Sequence, residues 1–153
     1  MSLRDGMRSV AVRLWALPTT LVGLVLAAAG LLGGRGRVRA GVLEVSGGFL
    51  GVVLRACPPF GAGAAAMALG HVILAMSEYD LARHREHERV HVRQCERWGP
   101  LFLPAYAASS LLAWVRGQDP YRDNRFEREA FAEDARLAQG RTGAIGAGRR
   151  AAP

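Results

Sequence analysis

A long uncharged run near the start of the chain most constrains how the sequence can fold. Between Arg13 and Arg35 lie 21 residues without a charged side chain, and most of them are apolar. A helix of that length spans a bilayer. The sequence therefore predicts a transmembrane helix over residues 14–34, with Trp15 as an interfacial anchor, after a basic start at residues 1–13. Three arginines flank the run on each side, so the positive-inside rule assigns no orientation.

The same run also has features of a cleaved secretory signal. A basic start precedes it, and the small residues Ala27, Ala28 and Ala29 would suit a signal peptidase. The apolar stretch is long for a signal core, however. We therefore favour a single-pass anchor in the cell membrane, with a secreted protein as the alternative, and we expect membrane lipid among the partners.

The charge of the chain is strongly one-sided. All 20 basic residues are arginine, against 13 acidic residues, which gives a net charge of +7. Nucleic-acid binding needs such charges gathered on one surface beside a recognition motif. The arginines here are spread along the chain without one, so the sequence predicts no nucleic-acid partner. An arginine face at positions 85, 89, 93 and 97 leaves a basic peripheral binder of lipid or nucleic acid as an alternative.

The rest of the chain predicts one small α+β domain over residues 40–138, after a short Arg/Gly linker at 35–40. Residues 42–54 contain β-prone pieces broken by glycines, and the run 64–76 becomes β-branched at Val72 and Ile73, which favours a strand over a helix there. Two cysteines, Cys57 and Cys95, are too few and too widely spaced for a disulfide framework or a zinc knuckle. We expect both to be small, half-buried residues.

Three helices are expected after these strands. The first spans residues 78–98, with acidic residues in its first turn and Gly99-Pro100 after its end. The second, residues 101–115, is apolar but short and contains Pro104, so a buried or interfacial helix is favoured over a second membrane span. The third spans residues 125–138. The Gly/Ala/Arg tail, residues 139–153, is expected to be disordered.

The first of these helices carries the sequence H-E-x-x-H at His87, Glu88 and His91. Residues four apart lie on one helix face, so both imidazoles can reach a single Zn²⁺ while Glu88 projects toward a water on it. The alternative is a solvated, charged helix whose histidines hold no metal.

A catalytic zinc ion needs a third protein ligand and one open position. No histidine follows His91, and the downstream candidates are Glu127 and Glu129, of which Glu127 is favoured. Asn124 stands three residues before Glu127, so Glu127 could instead form a capping box with Asn124 at the start of the last helix.

These motifs carry a resemblance to a known family. H-E-x-x-H followed by Glu127-x-x-Ala130 is similar to the gluzincin pattern H-E-x-x-H…E-x-x-A-D of HtpX-like and prenyl-protease-like membrane metallopeptidases. The segments HERVHVRQCERWGPLFLPAY and DPYRDNRFEREAF also resemble a group of short bacterial membrane proteins, over about residues 70–132. Phe131 stands where the family pattern has Asp, so a carboxylate that supports the ligands is expected to be missing.

The resemblance implies a minimal zincin-like domain behind an N-terminal transmembrane helix. Its parts would be a small β-sheet or hairpin, an active-site helix, a second apolar helix and a C-terminal ligand helix. It also implies peptide-bond hydrolysis at zinc, with Glu88 as general base. The oxyanion needs a further donor. Among Tyr106, Tyr121 and Arg122 we select Tyr121, and a surface aromatic in a turn is its alternative.

Two further histidines, His84 and His71, are interpreted as structural residues. His84 lies one turn before His87 on the same helix stripe and is expected to be half-exposed. His71 lies on the expected strand before the helix, where packing is favoured over a role at the edge of a cleft. We therefore predict a membrane-anchored zinc metallopeptidase acting on a peptide or protein. The alternative is a non-catalytic membrane protein with a structural or vestigial zinc site.

Overall fold

The computed structural model describes residues 10–56 and 64–150, with side chains through residue 140. Its α+β class is as predicted. Residues 10–15 are helical, and the following elements are α1 (Leu17–Gly30), β1 (Gly34–Arg39), β2 (Val42–Gly47), α2 (Leu50–Ala56), β3 (Ala66–Leu69), β4 (Val72–Ala75), α3 (Glu78–Trp98), a 3-10 turn (Gly99–Leu101), α4 (Phe102–Val115) and α5 (Arg125–Arg150).

The strands form a four-stranded mixed sheet in the order β1-β2-β4-β3. β1 and β2 are an antiparallel hairpin whose two-residue turn, Ala40-Gly41, has positive φ at both positions, 49° and 77°. This backbone matches the twist of the flanking strands. β3 and β4 form a second antiparallel hairpin, and β4 pairs with β2 in parallel. The single strand expected near residue 72 is therefore half of a hairpin.

Successive side chains along each strand point to opposite faces of the sheet, and both faces are buried. On one face Val45, Val72 and Leu74 contact Ala27 of α1 and two leucines of α2. On the other face Ile73 and Ala75 join Leu81 and Val92 of α3. The sheet thus holds α3, which carries H-E-x-x-H, against one side and α1 against the other.

The transmembrane helix expected over residues 14–34 is replaced by a shorter helix and a strand. α1 spans 14 residues and ends at Gly30. The chain then turns at Gly33, which has a left-handed backbone conformation with φ 81°. β1 then begins at Gly34, within the expected span, and uses most of the residues expected to be a linker. In the part of the chain that the structure describes, every helix is too short or too polar to cross a membrane.

Three other expectations differ from the structure. The second half of the β-prone segment, from Leu50, is helix α2. α5 does not end near residue 138 but continues to Arg150, since no proline interrupts residues 139–150. Most of the tail expected to be disordered is therefore helical, and residues 151–153 lie outside the described residues. Cys95 is buried and free, whereas Cys57 lies outside the described residues.

Candidate metal centre

α3 begins and ends where its sequence sets the boundaries. Ser77 caps the first turn by accepting a hydrogen bond from the Asp80 amide at 3.1 Å, and Gly99 ends the helix with φ 56° before Pro100. The bounds Glu78–Trp98 are those predicted. His87, Glu88 and His91 lie on its buried side, on a regular helix packed against the sheet.

The start of α5 is fixed to α4 by two short polar side chains. Ser109 Oγ accepts a hydrogen bond from the Arg125 amide at 2.9 Å, and Ser110 Oγ accepts one from Asn124 Nδ2 at 2.7 Å. Asn124 Oδ1 in turn accepts the Phe126 amide at 2.9 Å, which caps α5. The first turn of α5 is therefore held in place, and Glu127 lies on the side of that turn that faces α3.

Three buried side chains converge between α3 and α5. His87 Nε2 lies 3.1 Å from Glu127 Oε2, and His91 Nε2 lies 3.3 Å from Glu127 Oε1. Ligands about 2.0–2.1 Å from a tetrahedral zinc ion would be about 3.3 Å apart. The spacing of these three side chains fits a metal ion, and they form a buried His/His/Glu group.

The outer nitrogen of each imidazole already has an acceptor. His87 Nδ1 donates to Asp134 Oδ2 at 2.9 Å, and His91 Nδ1 donates to Gln94 Oε1 at 2.8 Å. Each bond fixes the tautomer that leaves an Nε2 lone pair directed at the group, as metal-binding histidines require. Gln94 is itself oriented through Nε2, which donates to the Phe126 carbonyl at 3.0 Å.

The electrostatics of the group favour a positive charge at its centre. Burial alone would lower the pKa of His87, but its hydrogen bonds with Glu127 and Asp134 and the nearby Glu88 raise that pKa to about 9. Burial raises the pKa of Glu127, yet the two histidines and Tyr106 lower it to about 2. Two lone pairs and a carboxylate that face each other need protons or a metal cation between them, so the charges also fit a metal ion.

Glu88 is buried beside the group and is poorly satisfied. No residue that the structure describes makes a hydrogen bond with its Oε2 atom. Burial raises the pKa of Glu88 above its ordinary value, against the opposing effect of His91 and His87. A buried carboxylate oxygen without a partner is costly. Its position is explained if a water molecule or substrate occupies the space in front of it.

Two tyrosines flank the carboxylate of Glu127. Tyr106 of α4 donates to Glu127 Oε1 at 2.6 Å, and burial together with the charge of Glu127 raises the pKa of its phenol. Tyr121, the predicted oxyanion donor, lies in the loop before α5, and burial followed by the charges of Glu127 and Glu88 raises the pKa of Tyr121. Its ring contacts Phe131, whose own ring centroid is 5.0 Å from that of His87.

The remaining predicted residues lie outside the group. Glu129 accepts a hydrogen bond from Gln94 Nε2 at 3.0 Å and pairs with Arg97, so it helps to orient Gln94 and does not face the imidazoles. Glu127 bonds to the histidines and to Tyr106, and so does not act as a capping-box partner. His84 is half-buried and bonds to the Asp80 carbonyl. His71, expected on a strand, lies instead in the turn between β3 and β4, where its ring contacts Glu96 and Thr20.

The sequence analysis missed two supporting residues, Asp134 and Gln94, and it considered Tyr106 only as an oxyanion donor, not as a partner of Glu127. A signal for each exists in the spacing. Gln94 is three residues after His91, on the same helix face, and Asp134 is seven residues, two turns, after Glu127. Because Phe131 stands where the pattern has Asp, a supporting carboxylate was expected to be missing. Asp134, one turn later on α5, supplies a carboxylate to His87 instead.

Comparisons with protein-family models, with curated proteins and with solved structures found no match. The resemblance to HtpX-like and prenyl-protease-like peptidases stays a prediction.

Proposed function

We propose that the protein is a zinc-dependent metallopeptidase whose ligands are His87, His91 and Glu127. One observation carries the proposal. The two imidazoles of an H-E-x-x-H helix, each fixed at Nδ1 by an acceptor, direct Nε2 at a buried carboxylate. Beside them lies Glu88, whose Oε2 atom has no hydrogen-bond partner among the described residues. Two nitrogens and one carboxylate oxygen are the donors of many catalytic zinc sites, which leave a fourth position open.

Zinc bound there would polarise a substrate carbonyl and lower the pKa of a water molecule. Glu88 is the general base in this proposal, since its burial favours a carboxyl that can both take a proton and return it. The proton from water moves to Glu88 and then to the leaving nitrogen of the peptide. Tyr121 is the donor for the developing oxyanion, because its phenol lies near both Glu127 and Glu88 and burial keeps it protonated.

Metal content is the first test. Protein purified without added chelator is expected to contain about one zinc ion, and His87→Ala or His91→Ala should abolish its binding. His84→Ala is the matched control, because His84 is on the same helix and outside the group. An intact protein that binds no zinc, or a loss in His84→Ala equal to that in His87→Ala, would refute the site.

Hydrolysis separates a peptidase from a structural zinc protein. With casein as an unstructured probe, the wild-type protein should release peptides, and Glu88→Gln should retain zinc but lose at least about a hundredfold in rate, as expected for a general base. Glu86→Gln, an exposed neighbour on α3, is the control and should keep wild-type activity. Unchanged activity of Glu88→Gln, or zinc binding without any hydrolysis in the wild type, would overturn the peptidase assignment.

A further inference from the structure

α1 is built with its small residues inward and its large apolar residues outward. Its buried positions are Thr19, Gly23, Ala27 and Gly30, which lie against the sheet and α2. All exposed residues of α1 are apolar. Val25, for example, is 72% exposed. A helix on an aqueous surface normally places charged and polar side chains there.

α4 repeats this pattern. Its exposed residues are all apolar, whereas its polar side chains, Tyr106, Ser109 and Ser110, face α3 and α5 and are buried or half-buried. Trp114, near its last turn, is 63% exposed. We call the exposed large residues of both helices the outer apolar face, represented by Leu21, Val22, Val25, Leu111, Trp114 and Val115.

The two helices meet at the 3-10 turn that precedes α4. Thr19 Oγ1 donates to the Gly99 carbonyl at 3.4 Å, and the ring of Trp15 lies directly against Gly99. The two exposed apolar helices are thus joined at one junction.

The charges at the ends of these helices favour lipid as the occupant. Residues 14–34 and 98–115 contain no charged side chain, and an arginine stands at both ends of each segment: Arg13 and Arg35, Arg97 and Arg116. Trp15 and Trp114 lie near one end of each. Arginine and tryptophan at the borders of an apolar surface fit the headgroup region of a bilayer. A protein interface would normally include polar groups that define a partner, and the exposed positions of α1 and α4 have none.

Cationic groups also border the face along a groove between α4 and α5. The groove has a volume of about 800 Å³, and Leu112 of the apolar helix lines it. Three arginines line the groove: Arg116, Arg125 and Arg128. Two acidic residues, Asp123 and Glu129, also line it, and Glu129 already pairs with Arg97. The excess of positive charge beside α4 matches the negative surface of an anionic bilayer.

We infer that the outer apolar face lies in the interfacial layer of an anionic lipid bilayer, with the bordering arginines at the headgroups. α4 would then contact lipid on its outside while Tyr106, on its inside, bonds to Glu127. The same short helix would connect the membrane surface to the candidate metal centre.

Vesicle flotation of the full chain tests this inference. Vesicles of phosphatidylcholine with phosphatidylglycerol should float with the wild-type protein bound, and vesicles of phosphatidylcholine alone should bind less of it. Added salt should weaken binding to the anionic vesicles. Val25→Ser and Trp114→Ser should each lower the partition by about tenfold, since each removes apolar area from the lipid. Tyr79→Ser is the matched control, because Tyr79 is 69% exposed, at the start of α3 and outside the face.

Each outcome is decisive. Flotation lost in the two face variants and kept in Tyr79→Ser supports the inference, provided the circular dichroism of all three matches that of the wild type. No flotation of the wild type, or equal flotation of every variant, overturns it. A dimer that Trp114→Ser dissociates, without vesicle binding, would identify a second copy as the occupant and also overturn it. His87→Ala should float like the wild type, so this result is independent of the zinc site.

Discussion

Asp134 accepts a hydrogen bond from His87 Nδ1 at 2.9 Å, and so joins α5 to the H-E-x-x-H helix outside the three converging side chains. It is the carboxylate that the sequence pattern lacks at Phe131. An acceptor at this position makes the imidazole more basic at Nε2 and fixes its orientation.

Asp134→Asn should therefore weaken zinc binding without changing the fold. Supporting contacts of this kind typically alter metal affinity by about 10–100-fold. Competition with a chromophoric chelator measures the affinity. Glu133→Gln is the matched control, because Glu133 is the preceding residue of α5 and pairs with Arg136 instead of a histidine. Equal affinities of Asp134→Asn and the wild type would show that Asp134 has no part in the site.

Tyr106→Phe tests the bond that α4 makes with Glu127. The phenol donates to a carboxylate at 2.6 Å, and hydrogen bonds to charged groups contribute about 1.5–3 kcal/mol. Loss of this bond should free the Glu127 side chain and weaken zinc affinity by about tenfold or more. Tyr79→Phe removes an exposed phenol and should leave the affinity unchanged. A Tyr106→Phe protein with normal affinity would contradict the positioning role.

Gly23→Ala tests whether α1 packs on the sheet in solution. A Cβ atom on Gly23 would lie 2.7 Å from the Leu69 carbonyl oxygen, a backbone atom that cannot move away cheaply. We expect a loss of about 1–3 kcal/mol in the free energy of unfolding. Gly51→Ala, in α2, has open space around its Cβ and should be neutral or stabilising by up to about 1 kcal/mol. Denaturant titration compares the two variants, and equal stabilities would place α1 away from the hairpin.

Glu44 should make stability fall in acid. It is fully buried on β2, where burial raises its pKa but Arg37 and Arg85 lower it below the ordinary value of 4.5. Its contribution is complete above the pKa of the unfolded chain and disappears as the pH falls through the lower pKa of the folded state. Glu44→Gln should thus unfold at a lower temperature near pH 7, and its difference from the wild type should shrink as the pH falls below about 4.5. Thermal unfolding across this range measures both, and a difference independent of pH would contradict the assignment.

The parts predicted well from sequence are those controlled by local signals. The α3 bounds follow from an acidic first turn and from Gly99-Pro100 after the last turn, and the approach of His87 and His91 follows from helix geometry. Glu127 was favoured because few candidates remained downstream. The structure does bring it to the two imidazoles.

The parts that sequence reading missed depend on contacts between distant residues. Arg/Gly-rich residues become β1 only because they pair with β2, and β4 is inserted between β2 and β3 by a parallel pairing. The uncharged run at residues 14–34 shows that the segment avoids water. It does not show whether lipid or the sheet covers each side of α1, and the buried glycines become meaningful only beside Leu69 and Leu50.

The ligand group also has a topological consequence. Glu127 is 40 residues from His87, so one metal ion would close a long loop that contains all of α4. Closing a loop of that length removes chain entropy mainly from the unfolded state, as a covalent cross-link does. Zinc binding to the folded chain alone would then make the melting temperature depend on the concentration of free zinc. A bound metal ion would then cross-link α3 and α5 across this loop, while Cys95, buried and free, forms no disulfide.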